Sequence, residues 1–217
     1  MLKPFYRLLE IPAVYRLITG LLGPGGSRLR EPYYQKAFRP SVARVLDLGC
    51  GPALNTPEPE GLLVGVDINE SYIRRYTGGF ADQNPAWVLI PPPGRRRLGF
   101  LASADSLPFA DGIFDEARSS SFFHHLSDEQ ASHALKEINR CLKPGGRMVI
   151  FEDVWPRRAW TRPLAWLTRR FDRGTHMRSE AGLLTLFRMA CPGNWVWERF
   201  TYTYTGLECL CLQYVKS

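Results

Sequence analysis

The 217-residue sequence has no apolar run near the roughly 20 residues that cross a bilayer, and charged residues interrupt its N-terminal apolar segment. We therefore expect neither a membrane span nor a cleaved signal peptide. Its five cysteines are odd in number and show no CxxC spacing, and its four histidines form no ligand cluster. These absences argue against a disulfide framework and against a metal site. The cysteines are typical of reduced, buried thiols in a cytoplasmic protein.

Acidic residues are scarce at both ends of the chain. The net charge is +7, yet residues 45–154 carry ten basic and fifteen acidic side chains. Residues 1–44 carry eight basic and two acidic side chains, and residues 155–199 carry nine and three. An acidic middle between two basic flanks fits two interpretations. The flanks are either solvated faces or a surface for an anionic partner, such as a membrane, an acidic substrate or a nucleic acid.

Apolar runs alternate with helical patterns from residue 42 onward. Alternation of this kind predicts an α/β fold, a doubly wound parallel sheet with helices on both faces. Two final segments rich in aromatic and β-branched residues flank Thr205-Gly206 and predict an antiparallel hairpin that closes the sheet. We predict strands at 42–49, 62–67, 100–105, 113–121 and 145–153, and helices at 5–22, 70–76, 127–142, from Pro163 onward and at 179–191, with a loop at 23–28.

A glycine turn follows the first strand of the alternation. Asp47 ends an apolar run, and Gly49 and Gly51 follow it, so backbone can approach a ligand closely there. Asp67 and Asp105 end the next two predicted strands, and ligands of doubly wound sheets lie at such strand ends. Three carboxylates beside a glycine turn indicate a nucleoside site. A carboxylate on the turn itself repels a pyrophosphate and suits an ammonium group, so an adenosine ligand with an amino-acid end is favoured over a dinucleotide.

Four stretches carry a resemblance that spans about residues 45–152. "VLDLGCGP", "LVGVDIN", "ASADSLPFADGIFDEARSSSFFHHL" and "LKEINRCLKPGGRMVI" resemble class I S-adenosylmethionine-dependent methyltransferases of the small type 11 family. The resemblance implies a Rossmann-like seven-stranded sheet, mostly parallel, with an antiparallel C-terminal hairpin strand. It implies S-adenosyl-L-methionine as the cofactor. The sequence departs from the family at Ala53, where many relatives have a third glycine.

The resemblance also implies site roles. Asp47, Gly49 and Gly51 would hold the methionine end, and Asp67 would accept the ribose hydroxyls. Ile68 would pack on adenine, whose edge would meet Asp105 and Ser106. Ser119, Ser120 and Ser121 would line the floor near the sulfonium. Small residues at a strand end also serve packing alone.

A general base is needed only for a poorly nucleophilic acceptor, such as a hydroxyl or a carbon acid. His124 and His125 follow the fourth strand, and adjacent side chains there point in different directions, so at most one faces the site. We favour His124 as the catalytic candidate, with a packing or capping role as the alternative.

The flanking segments are expected to select the acceptor. We predict an N-terminal helical lid segment at 1–41 and a catalytic domain at 42–217, with a basic, tryptophan-rich helical insert at about 155–192. Aromatic residues beside arginines suit a small-molecule or lipid-like acceptor, or a peripheral contact with an anionic membrane. They suit core contacts of two lid helices equally well. The chain has "SSSFF" where DNA amino-methyltransferases carry an Asn/Asp-Pro-Pro-Tyr/Phe motif, which argues against DNA bases as acceptors.

We therefore predict a cytoplasmic S-adenosylmethionine-dependent methyltransferase without a metal. Three alternatives stay open: a methyltransferase-fold scaffold without catalysis, an RNA methyltransferase that uses the basic flanks, and a pyridine-nucleotide oxidoreductase. Nucleic acid is the less favoured partner, and Asp47 on the turn disfavours the oxidoreductase.

Overall fold

The computed structural model describes residues 26–52, 57–78, 96–170, 172 and 174–217. The predicted helix at 5–22 and Ala53 lie outside these residues. In chain order the elements are α1 (Gly26–Ala37), β1 (Arg44–Leu48), β2 (Leu62–Asp67), α2 (Glu70–Tyr76), β3 (Arg97–Leu101), β4 (Phe114–Ser120), α3 (Asp128–Cys141), β5 (Leu142–Val154), α4 (Pro163–Arg170), α5 (Glu180–Ala190), β6 (Trp195–Thr201) and β7 (Glu208–Val215), with short 3₁₀ turns at Phe123–His125 and Ala159–Thr161.

The strands form one seven-stranded sheet in the order β3-β2-β1-β4-β5-β7-β6. The first five strands in this order pair in parallel, and β7 pairs antiparallel with both β5 and β6. The predicted fold class and the closing hairpin are confirmed. The chain order reverses direction at β1 and β4, and the carboxyl ends of these strands are where doubly wound sheets bind ligands.

Helices cover both faces of the sheet. Side chains alternate along β1, so that Leu46 and Leu48 join a core with α3 and α5, whereas Val45 packs with α2. A third cluster joins α1 and α4 to β5 and to the hairpin. Helix α3 begins with a capping box between Ser127 and Gln130, as its sequence pattern predicts.

Two predicted boundaries are wrong. The third strand was predicted at 100–105 but lies at Arg97–Leu101, so Asp105 sits in the turn beyond the strand rather than at its end. Residues 26–37 form α1 despite Pro32 inside it, where glycine and proline predicted a loop up to residue 28. Burial explains α1, because Tyr34 packs edge-on against Phe151 with ring centroids 4.6 Å apart.

The domain division at residues 41 and 42 stays a prediction. Residues 155–192, the predicted basic insert, hold α4 and α5 between β5 and β6. All five cysteines are free and buried. Among the residues described, no helix is long and apolar enough to cross a membrane, and no group of three His, Cys, Asp or Glu side chains could hold a metal ion.

Candidate functional site

The glycine turn after β1 is tied to the end of β2 by Asp67. Gly51 N–H donates to Oδ2 of Asp67 at 3.1 Å, and Asn69 N–H donates to Oδ1 at 2.9 Å. Gly49 and Gly51 take left-handed φ angles of +62° and +54°, which favour glycine. Burial raises the pKa of Asp67, although the backbone N–H donors oppose the shift. The carboxylate is only partly buried and keeps lone pairs for a ligand.

The surroundings of this turn fit a nucleoside. A Cβ on Gly51 would meet no heavy atom of the described residues within 4 Å, so among these residues open space lies over the turn. Ile68, next to Asp67, is 75% exposed and offers apolar surface to a flat ring. Three features therefore lie at one strand end: a carboxylate that can accept from hydroxyl groups, an exposed apolar side chain and an uncovered glycine turn. This donor set matches the needs of an adenosine-bearing cofactor.

Asp47 lies beneath the turn rather than on its surface. It is 3% exposed and accepts a hydrogen bond from Tyr76 Oη at 3.1 Å. Gly65 makes this contact feasible, since a Cβ there would lie 2.5 Å from the Tyr76 ring. The structure thus joins Asp47 to α2, and its predicted contact with a methionine end stays a prediction.

The predicted adenine-edge residues follow β3. Leu101, the last residue of β3, pairs with Asp67 in the sheet register. Asp105 is half-buried in the turn beyond, and Ser106 is exposed. The turn therefore leaves the same edge of the sheet as Asp67, and contact of these two side chains with adenine stays a prediction.

The three serines at the end of β4 have different environments. Ser119 Oγ is buried and donates to the Leu48 carbonyl at 3.1 Å, which ties β4 to β1. Ser120 Oγ lies 2.9 Å from Tyr34 Oη, and Ser121 Oγ accepts from Arg30 Nη1 at 3.2 Å. Ser121 has a φ of +53°, the only left-handed non-glycine residue among those described. Ser120 and Ser121 thus face α1, whereas Ser119 is an interstrand contact.

A buried ionic cluster lies at the end of β5. Asp153 is 5% exposed, with Oδ1 at 2.8 Å from Arg30 Nη2 and 2.9 Å from Arg169 Nη2. Burial disfavours the charged carboxylate, but the two guanidinium groups outweigh it and hold the pKa of Asp153 well below its usual range. Arg30 also stacks on Tyr202, with Cζ 3.7 Å from the ring centroid. This cluster fastens α1 and α4 to the carboxyl end of β5.

His124 is enclosed by carboxylates. It is 4% exposed, with Nδ1 2.5 Å from Glu152 Oε1 and Nε2 3.6 Å from Asp172 Oδ1. Burial disfavours the imidazolium, but Glu152 outweighs burial and raises the pKa of His124. Glu152 also accepts backbone N–H groups of Phe122, Phe123 and His124. The hydrogen bonds of Glu152 therefore fix the backbone and the His124 side chain in the segment that follows β4.

The raised pKa of His124 predicts a pH-dependent stability. A group whose pKa is higher in the folded state stabilises the fold fully at pH values below its unfolded pKa, about 6.5 for histidine. This contribution to stability is lost as pH rises through the folded pKa. The groups facing the ring are Glu152, Asp172, Asp153 and His125. We expect the free energy of unfolding from urea titrations to fall as pH rises above about 6.5, and to fall less in His124→Gln.

The matched control is His133→Gln, because His133 is exposed on α3. His133→Gln should keep the wild-type dependence of the free energy of unfolding on pH. An unchanged slope in His124→Gln would contradict the assignment of the raised pKa to this side chain.

Several residues of the site were not found from the sequence. Glu152 and Asp153 end the apolar run "MVIF", the same signal that identified Asp47 and Asp67. That signal could have found them. Arg30 and Arg169 carry no such local signal, because only the fold brings them to Asp153.

This geometry agrees with comparisons to known proteins. A family model described as "Methyltransferase domain" matches residues 46–150. The demethylmenaquinone methyltransferase of Mycolicibacterium paratuberculosis is 31% identical over 150 residues, which are 67% of this chain and 57% of that protein. The C-methyltransferase UbiE of ubiquinone/menaquinone biosynthesis from Desulfotalea psychrophila is 28% identical over 148 residues, 65% of this chain and 54% of that one. The chain spans little more than half the length of these two relatives.

Solved structures agree on the fold. An S-adenosylmethionine-dependent methyltransferase from Methanosarcina mazei aligns with a TM-score of 0.58 at 22% identity, over 85% of this chain and 97% of that one. At this level of identity the likeness concerns the fold alone.

Proposed function

Because the chain belongs to the class I S-adenosylmethionine-dependent methyltransferases, we propose that it transfers a methyl group to a small-molecule or lipid-like acceptor. The observation that carries the proposal is the Asp67–Gly51 tie, which holds a partly exposed carboxylate beside an open glycine turn. When bound, S-adenosylmethionine supplies a methyl group on a positively charged sulfur. The chain's own residues bind it, position the acceptor and exclude water.

The first part of the proposal concerns cofactor binding. Asp67 would accept the ribose hydroxyls with the lone pairs that Gly51 and Asn69 leave open, and Ile68 would cover one face of adenine. Gly49 and Gly51 would let the methionine end approach the backbone. Asp47, hydrogen-bonded to Tyr76, would supply negative charge beneath that end.

The second part concerns the acceptor. The hydroxyl groups of Tyr34, Ser120 and Ser121 and the guanidinium of Arg30 lie between α1 and the carboxyl end of β4. We propose that these groups position an oxygen of the acceptor. The two relatives are named for demethylmenaquinone and for ubiquinone/menaquinone biosynthesis, which supports a lipid-like acceptor for this chain. We also propose that the protein is cytoplasmic and meets an anionic membrane peripherally.

The role of His124 as a general base stays a prediction. Nδ1 is hydrogen-bonded to Glu152 and Nε2 faces Asp172 Oδ1 at 3.6 Å, so both ring nitrogens face carboxylates rather than open space for an acceptor. Base function requires Nε2 to leave Asp172 and turn toward the acceptor.

Calorimetric titration tests the cofactor assignment. We expect micromolar binding of S-adenosylmethionine and S-adenosylhomocysteine and no binding of NAD. Asp67→Ala should weaken binding by about 1–3 kcal/mol, the cost of leaving hydrogen-bonding partners unpaired, which is about 5- to 150-fold in Kd. Asp111→Ala is the matched control, since Asp111 is 79% exposed and pairs only with Arg140 among the described residues.

Unchanged affinity in a folded Asp67→Ala variant would contradict the ribose assignment. Failure of the folded wild type to bind either ligand would instead favour the scaffold without catalysis. Binding of RNA with a steep dependence on salt would favour an RNA acceptor.

A further inference from the structure

Helix α4 is fixed in its rotation about its own axis. Ala165 is fully buried in the cluster with α1 and β5, and Arg169 is 4% exposed. Arg169 Nη2 lies 2.8 Å from Tyr202 Oη and 2.9 Å from Asp153 Oδ1. Positions 165 and 169, four residues apart, therefore define the inner face of α4.

The outer face of this segment is apolar. Leu164 and Leu167 lie three residues apart on α4 and are 61% and 48% exposed, and Trp160, in the 3₁₀ turn just before α4, is 83% exposed. Trp166 beside them is 41% exposed. A surface helix ordinarily turns its apolar stripe inward, and here the stripe points outward. Such a contiguous apolar patch marks a contact surface.

The β6–β7 turn extends this surface. Arg162 Nη1 donates to Thr201 Oγ1 at 2.9 Å and to the Gly206 carbonyl at 3.1 Å, which holds the turn beside α4. Tyr204, at the tip of the turn, is 71% exposed. We call Trp160, Leu164, Trp166, Leu167 and Tyr204 the α4 apolar surface. Tryptophan and tyrosine are the side chains that favour the boundary between lipid and water.

The chain segment that carries most of this surface has charge of one sign. Residues 155–170 contain five arginines and no acidic residue. Arg158 and Arg170 are exposed and form no ion pair among the residues described. Exposed arginines beside apolar and aromatic side chains are complementary to lipid phosphates above an acyl layer.

We propose that the α4 apolar surface docks on an anionic lipid bilayer, an inference that rests on the proposed transfer to a lipid-like acceptor. The inner face of α4 contacts Asp153 at the carboxyl end of β5, next to Ser121 and Arg30. A bilayer on the outer face thus lies about one helix diameter, about 10 Å, from the groups that would position the acceptor. An acceptor with a lipid tail would reach them without leaving the membrane completely.

Vesicle sedimentation with the full chain tests this docking. We expect wild type to bind vesicles of phosphatidylcholine and phosphatidylglycerol, and to bind vesicles of phosphatidylcholine alone at least tenfold more weakly. Trp160→Ser/Leu164→Ser should lower binding at least tenfold. Arg158→Glu/Arg170→Glu should abolish the preference for the anionic lipid. The matched control is Met189→Ser/Val196→Ser, two exposed apolar residues on α5 and at the far end of β6, which should bind as wild type does.

The possible results distinguish a lipid bilayer from a second copy of the protein as the partner that covers the α4 apolar surface. Absence of wild-type binding to both vesicles, or equal losses in the control, would overturn the proposal. So would a wild-type dimer that Trp160→Ser/Leu164→Ser converts to a monomer in sedimentation velocity, because a second copy would then cover the surface. Titration with S-adenosylmethionine, made on the same samples, separates the two proposals. Vesicle binding without cofactor binding would refute the proposed function and leave the docking surface supported.

Discussion

Gly49→Ala is expected to lower the free energy of unfolding by about 2–5 kcal/mol and to weaken S-adenosylmethionine binding more than Asp67→Ala does. Alanine in the left-handed region costs about 1–2 kcal/mol, and Gly49 has a φ of +62°. A Cβ there would also lie 2.2 Å from Cδ2 of Phe122, and such overpacking costs about 1–3 kcal/mol. The Phe122 backbone N–H donates to Glu152, so rotation of the ring, rather than a shift of the backbone, is what could relieve the contact. A turn displaced by this contact would no longer present the proposed cofactor site in the geometry described above.

Gly112→Ala separates the two causes. Gly112 has a φ of +65°, but a Cβ there would meet no heavy atom within 4 Å. Its variant should lose only about 1–2 kcal/mol in urea unfolding and bind the cofactor normally. In a double-mutant cycle, Phe122→Ala should cost less in the Gly49→Ala background than in wild type, since it removes the contact. Equal losses for Gly49→Ala and Gly112→Ala would refute a steric role for Phe122.

Much of the site could be predicted because its signals are local. Leu62–Asp67 and Glu70–Tyr76 have the predicted bounds, since an apolar run that ends on an acid and a capped helix are both read from neighbouring residues. The glycines of the turn after β1 have the positive φ angles that their sequence suggested. These features need no knowledge of the rest of the fold.

The errors arise where tertiary contacts outweigh local preference. Arg97 and Gly99 look like loop residues, yet they begin β3. Arg97 pairs with Glu58, and Gly99 fits against Thr77 and Ile73, where a larger residue would clash. Helix α1 likewise forms around Pro32, because Tyr34 and Ala37 bury against β5 and the hairpin. Residues distant in sequence stabilise both β3 and α1, and these tertiary contacts cannot be identified from a single sequence.

The different environments of the three serines also arise from tertiary contacts. They are adjacent in sequence, but the strand turns Ser119 toward the Leu48 carbonyl, whereas Ser120 and Ser121 meet Tyr34 and Arg30. The partners come from α1, whose formation the sequence did not predict. The proposed acceptor side of the site therefore depends on a helix whose bounds the sequence did not predict.

Asp153→Ala is expected to lower the free energy of unfolding by about 3–5 kcal/mol, because it leaves two buried guanidinium groups without their shared carboxylate. Arg30 keeps its contact with Ser121 and Arg169 keeps that with Tyr202, but both Nε atoms lack a hydrogen bond in the structure. Arg169→Met in the Asp153→Ala background should restore part of the loss, because it removes one uncompensated charge. Asp111→Ala, an exposed pair with Arg140, should cost less than about 1 kcal/mol.

The same variant should loosen α1, because Arg30 is the side chain that fastens this helix to β5. Trypsin should cut at Arg28, Arg30 or Lys36 faster in Asp153→Ala than in wild type, while α3 stays protected.

The low pKa of Asp153 sets the pH range of this contact. A carboxylate whose pKa is lower in the folded state stabilises the fold fully at pH values above its unfolded pKa, about 3.9. This contribution to stability is lost only as pH falls through the folded pKa. Protection of α1 in wild type should therefore persist at pH 5. A cleavage rate that is the same in both proteins would show that apolar packing of Tyr34 and Phe38, rather than the ionic cluster, holds α1 over the acceptor side of the site.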